Sequence, residues 1–181
     1  MSIVQTQLTY ADLQALPEDG KRYELLEGEL VVSPAPTPRH QRVVVNGTVF
    51  LRRAEDAGFG FVYIAPIYVV FDVEHTTEPD LLFIRLDRLH IVGDDAIHGV
   101  PDLVVEVLSP STRQRDLRAK LQIYARFEVP FYWIADPVVQ TVQPYELTVQ
   151  GYAAQPLLEA DDILSCPLFP GITIRVGDLF K

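Results

Sequence analysis

The chain has 181 residues, a formal net charge of −10, 48% hydrophobic residues and a mean hydropathy of +0.12. This is enough apolar material for one packed core within a single domain spanning 1–181, and it excludes an intrinsically disordered chain. No apolar run reaches the roughly 18 residues of a membrane span, Met1–Thr9 lacks the pattern of a signal peptide, and the lone Cys166 permits no internal disulfide, so a reducing, cytoplasmic setting is expected.

In chain order, Thr9 with Asp12 three residues on marks the start of a short helix bounded by Pro17 and Gly20. The strand-like runs Arg22–Leu26 and Glu29–Ser33 flank Glu27-Gly28 and predict a β-hairpin. Pro34, Pro36 and Pro38 interrupt regular structure. A helix then follows from Thr37 or Pro38 to about Ala57, with Val43, Val44, Gly47, Phe50, Leu51 and Ala54 on one face. Gly58 and Gly60 end it.

Beyond that point the period changes. Phe61–Phe71 is rich in Val, Ile, Tyr and Phe and predicts a strand. Leu81–Ile84 and Leu103–Leu108 are short continuous apolar runs, as in strands buried on both faces. A helix is expected over roughly Gln114–Phe127, with Leu117, Leu121, Tyr124 and Ala125 as its core stripe, and Pro130 stops it. Phe131–Ala135 is the next buried strand, and Thr141–Lys181 is β-rich. The predicted class is α/β: a mixed central sheet with a helix on each face, an N-terminal hairpin and a β-rich C-terminal extension.

Two acids stand where acids are costly. Glu106 lies inside Val104-Val105-Glu106-Val107-Leu108, and a carboxylate in a central apolar strand requires a partner, a hydrogen bond or a metal. Asp80 opens the run Leu81–Ile84. If those strands are neighbours, the two carboxylates converge and offer hard oxygen donors for Mg²⁺ or Mn²⁺. On spacing alone, an ion pair between Glu106 and an arginine accounts for it equally well. Asp116, Lys120 and Tyr124 recur at i, i+4 on the following helix. Lys120 can lean over the carboxylate pair and stabilise phosphoryl charge, while a plain Asp116–Lys120 surface pair is the ordinary alternative.

The negative net charge argues against a broad phosphate-gripping surface. Any basic footprint is local, at Arg113, Arg115, Arg118 and Lys120 or at Arg39, Arg42, Arg52 and Arg53. Glu24 in the hairpin reads as a solvated residue or a third acid. His40 reads as a substrate contact or a helix-terminal polar group. Asp136 reads as a cap for the turn at Pro137.

Pro79-Asp80, the stretch Pro101–Thr112 containing Glu106, then Asp116, Lys120, Tyr124, Pro130–Trp133 and Asp136 resemble the Uma-type family of restriction endonucleases. Tyr23–Glu29 and His40 match its N-terminal pattern. The resemblance implies a PD-(D/E)XK nuclease-like fold and a divalent-metal-dependent endonuclease acting on nucleic acid, with DNA the expected substrate and a homodimer an expected assembly. It implies Asp80 and Glu106 as metal ligands, Lys120 as the third catalytic group, and Glu24, His40 and Asp116 as supporting residues. The lysine usual two residues after the second acid is Leu108 here, and Lys120 takes its place. That missing lysine and the acidic charge keep open a nuclease-fold module that binds nucleic acid or protein with little or no turnover.

Overall fold

The computed structural model describes residues 7–17, 19–109 and 116–181, with side chains from 118 onward in the last stretch. It opens with α1 (Tyr10–Gln14), whose start is fixed by Asp12 accepting from the Thr9 N–H at 2.8 Å. The hairpin β1 (Arg22–Leu26) and β2 (Glu29–Ser33) turns through Glu27 and Gly28, both at positive φ, the conformation that a two-residue primed turn demands. Then come α2 (Pro38–Asp56), β3 (Gly60–Ile64), β4 (Val69–Val70), β5 (Thr76–Thr77), β6 (Leu81–Arg85), β7 (Ile97–His98) and β8 (Leu103–Val107). A π-type turn (Asp116–Lys120) leads into α3 (Leu121–Arg126), followed by β9 (Phe131–Asp136), β10 (Thr141–Thr148), β11 (Gly151–Ala154), β12 (Ile163–Ser165) and β13 (Thr173–Arg175).

The strands form a six-stranded sheet, β11-β10-β9-β8-β6-β3, a five-stranded sheet, β2-β1-β5-β4-β7, and a β12–β13 ribbon. The larger sheet is mixed, because β8 and β9 run parallel while β6 pairs antiparallel with both β3 and β8. Its two faces follow from the period of two along each strand. Leu81, Phe83, Leu103, Val105 and Val107 point to the side covered by α2 and the C-terminal segment. Leu82, Ile84 and Val104 point to the side covered by α3 and the smaller sheet. Glu106 shares the parity of Val104 and therefore projects into this second layer.

The expected α/β class, the hairpin and both flanking helices are present. Three details differ. The run Phe61–Phe71 is divided: β3 ends at Ile64, Pro66 offers no N–H to a ladder, and Val69–Val70 crosses to the smaller sheet. The buried stripe after the π-type turn is Lys120, Ile123 and Tyr124, whereas Leu121 and Ala125 are half-buried. A π-type turn adds about one residue to the turn, which shifts the phase of everything after it. The C-terminal segment joins the core of its own chain, with Leu164, Cys166, Phe169, Val176 and Leu179 packing under α2. Burial pushes the Cys166 thiol up to about 12, so it remains a neutral core side chain.

Candidate active site

The site forms where the two sheets meet. In the β6–β8 register Leu81 stands opposite Val105, so one further step places Asp80 opposite Glu106. The Val107 N–H donates to Asp80 Oδ2 at 2.8 Å and fixes that meeting point. Both carboxylates are buried, as are Glu24, Glu78, His40 and Lys120 around them.

Each acid has partners. Arg22, on β1, donates through Nη1 to Asp80 Oδ1 at 2.9 Å and through Nη2 to the Glu78 carbonyl. Its Nε lies 2.8 Å from Glu78 Oε1 without hydrogen-bond alignment. His40 Nε2 is 3.1 Å from Asp80 Oδ2. Its backbone N–H is held at 3.3 Å by the Thr37 hydroxyl at the start of α2. The other ring nitrogen, Nδ1, is buried with no hydrogen-bond partner among the described residues. Lys120 Nζ lies 2.8 Å from Glu106 Oε1 and 2.8 Å from Glu24 Oε1. The Tyr124 hydroxyl, one helical turn on, donates to the same Glu106 oxygen at 2.7 Å.

The electrostatics follow from this packing. Burial alone would raise Asp80, but the hydrogen bond and charge of His40, the Arg22 guanidinium and the Val107 N–H outweigh it and hold the carboxyl down to about 2. Glu78 moves the other way: burial raises it, and Arg22 only partly offsets that. Tyr124 is driven well above the usual phenol range by burial and by the adjacent Glu106 charge, so it serves as a neutral donor.

Space and donor chemistry bear on whether a divalent cation fits. Among the described residues, four buried carboxylates (Glu24, Glu78, Asp80 and Glu106) face two fixed cations, Arg22 and Lys120. A cavity of about 30 Å³, lined by Arg22, Glu24, His40, Asp80, Glu106 and Lys120, gives room for about two water-sized bodies. The donors are hard oxygens suited to Mg²⁺ or Mn²⁺. No ready cage of three or more His, Cys, Asp or Glu groups exists among the described residues. The carboxylates instead face protein cations.

The sequence-predicted residues Asp80, Glu106, Lys120, Glu24 and His40 are therefore brought together. Glu24 is not the solvated hairpin residue that its position suggests, being 2% exposed. The side chain of Asp116 lies outside the described residues, as do Pro110–Arg115. Asp102 belongs elsewhere: it is tied to Arg88 at 2.7 Å and accepts the Arg85 N–H at 2.9 Å. Asp136 caps its turn by accepting the Val138 N–H at 2.9 Å. Sequence reasoning missed Arg22 and Glu78. Glu78 stands two residues before Asp80 in the Glu78-Pro79-Asp80 triplet, and that same-face spacing was the available signal.

A mixed sheet with a helix on each face and an acid pair at a strand junction defines a restriction-endonuclease-like α/β protein. The chain belongs to the Uma2 family, described as "putative restriction endonuclease", whose sequence profile matches residues 10–177. It is similar in structure to a "putative nuclease belonging to DUF820" from Anabaena variabilis, with a TM-score of 0.80 and 20% sequence identity over 96% of this chain and 97% of that one. No curated protein matches the chain in sequence.

Proposed function

We propose that this protein is a divalent-metal-dependent endonuclease that hydrolyses phosphodiester bonds in nucleic acid, with DNA as the substrate. The observation that carries the reading is the pairing of Asp80 and Glu106 on adjoining strands with the Lys120 ammonium 2.8 Å from Glu106. Asp80 and Glu106, with a main-chain carbonyl near Val107, would hold Mg²⁺ or Mn²⁺, which supplies a Lewis acid for the phosphate and a lowered pKa for a water.

The protein's own groups do the rest. Arg22 and the Val107 N–H fix the Asp80 carboxylate and keep it ionised. Lys120 carries the positive charge that meets the developing charge on the phosphoryl oxygens. Tyr124 orients Glu106 through its hydroxyl. His40 braces Asp80 from the side opposite Arg22, on the other carboxylate oxygen. A groove of about 1140 Å³ runs from Asp80 and Glu78 past Arg22, Tyr23, Tyr68 and Tyr10. Its rings suit stacking against bases, and it supports strand access to the acids. A homodimer would place two such sites on one duplex.

The test is cleavage of plasmid and of oligonucleotides with Mg²⁺ and with Mn²⁺, for wild type and for Asp80→Ala, Glu106→Ala and Lys120→Ala. Metal-dependent cleavage that disappears in all three variants supports the assignment. Cleavage that survives them rules it out.

A further inference from the structure

Building on that reading, we propose that Glu24 is a positioning residue: it is the standing anionic partner that keeps the Lys120 ammonium in the site while Glu106 is committed to a divalent cation. The observation is a shared charge. Lys120 Nζ lies 2.8 Å from Glu24 Oε1 and 2.8 Å from Glu106 Oε1, and all three residues are 2–3% exposed.

A buried ammonium without an anion is strongly disfavoured. If Glu106 were its sole partner, a cation drawing on Glu106 would strand Lys120, and each charge would bind at the other's expense. The second carboxylate eases this conflict. The ammonium leans on Glu24 when Glu106 is taken, and it stays beside the phosphate position instead of leaving the site.

Glu24 is built to stay where it is. The oxygen that meets Lys120 also accepts the Glu78 N–H at 2.9 Å. Its strand is held on one side by β2 and on the other by β5. Glu106 is provided for as well, because the Tyr124 hydroxyl at 2.7 Å remains as a neutral donor to its Oε1. The lysine sits on a four-carbon stem at the start of a short helix, which lets its ammonium shift between the two acids.

The experiment is a double-mutant cycle on Mn²⁺ affinity, measured by titration calorimetry on wild type, Glu24→Gln, Lys120→Met and the double variant, without nucleic acid. Lys120→Met removes the competing cation and tightens Mn²⁺ binding by about tenfold or more, since a unit charge at such range is worth at least that at intermediate dielectric. Glu24→Gln throws Lys120 onto Glu106 and weakens Mn²⁺ binding by about tenfold. In the Lys120→Met background that penalty shrinks to about threefold or less, because the coupling runs through the lysine. An equal penalty in both backgrounds means that Glu24 acts on the ion directly and overturns the proposal, as does no penalty in either.

Thermal unfolding checks that each variant is folded. Should Glu24→Gln fail to fold, Glu24→Asp takes its place in the same cycle: a loss of Mn²⁺ affinity that shrinks in the Lys120→Met background supports the proposal, and an equal loss in both backgrounds or none overturns it. A wild type that takes up no Mn²⁺ sinks the hydrolase reading together with this one. Wild-type binding with an additive cycle sinks only the role of Glu24.

Discussion

Replacing Asp80 with Asn tests the electrostatic frame of the site without adding bulk. In the metal-free protein the Asp80 carboxyl is held down from 3.8 to about 2, with burial outweighed by His40, Arg22 and the Val107 N–H. A shift of nearly two units at about 1.4 kcal/mol each corresponds to about 2–3 kcal/mol of stability. The Asn amide adds about 1 kcal/mol more, because its NH₂ must face either the Arg22 fork or His40. The expected loss is therefore about 3–4 kcal/mol at pH 7, read by urea unfolding in the presence of a chelator. The sign with pH is fixed by the depressed folded value. The contribution is full above the unfolded value of 3.8 and is lost as pH falls through about 2. The gap between wild type and Asp80→Asn should therefore be widest near neutrality and close progressively below about pH 4. A gap under about 0.5 kcal/mol at pH 7, or one that does not change down to pH 2, would refute the reasoning.

Tyr124→Phe removes a hydroxyl that reaches Glu106 at 2.7 Å and Thr77 at 3.3 Å. It should cost about 1–3 kcal/mol in chemical unfolding and lower cleavage without changing the fold by circular dichroism. Gly60→Ala places a Cβ 2.1 Å from the Ile84 carbonyl oxygen and 2.8 Å from Arg85 Cα. Backbone cannot yield as a side-chain tip can, so β3 should separate from β6, with a loss above about 2 kcal/mol in unfolding. Arg88→Met strands the buried Asp102, which is 3% exposed. A loss of about 2–4 kcal/mol is expected, reduced because Arg88 itself is partly solvated. Cleavage per folded molecule should stay at the wild-type level, and a collapse of turnover there would move the site away from Asp80.

The large sheet was legible because its central strands are continuous apolar runs, and a lone acid among them, Glu106, announces itself. The smaller sheet was not. Its β4, β5 and β7 are two residues each, too short to leave a periodic signature, and they are strands only because β1 gives them an edge. That sheet is also what buries Glu24, so its burial and the three short strands went unread for one cause. Lys120 illustrates a different limit. Its spacing from Asp116 and Tyr124 allowed both a surface pair and a place over the acids, and it is 3% exposed. The juxtaposition of β1 with β8 sets two anions, Glu24 and Glu106, beside it. His40 follows the same logic: its helix-start position was evident, but the approach of Asp80 depends on how α2 crosses β6.

The groups that meet at the junction of the two sheets come from opposite ends of a long stretch of chain, from Arg22 in the first hairpin to Tyr124 in the third helix. Arg22 can meet Asp80 only after residue 80 has emerged from the ribosome, and Glu106 can meet Lys120 and Tyr124 only after residue 124 has. Until then part of the set remains scattered and hydrated. The site is therefore complete only once the two sheets have met, and a chain that stops before Tyr124 lacks it.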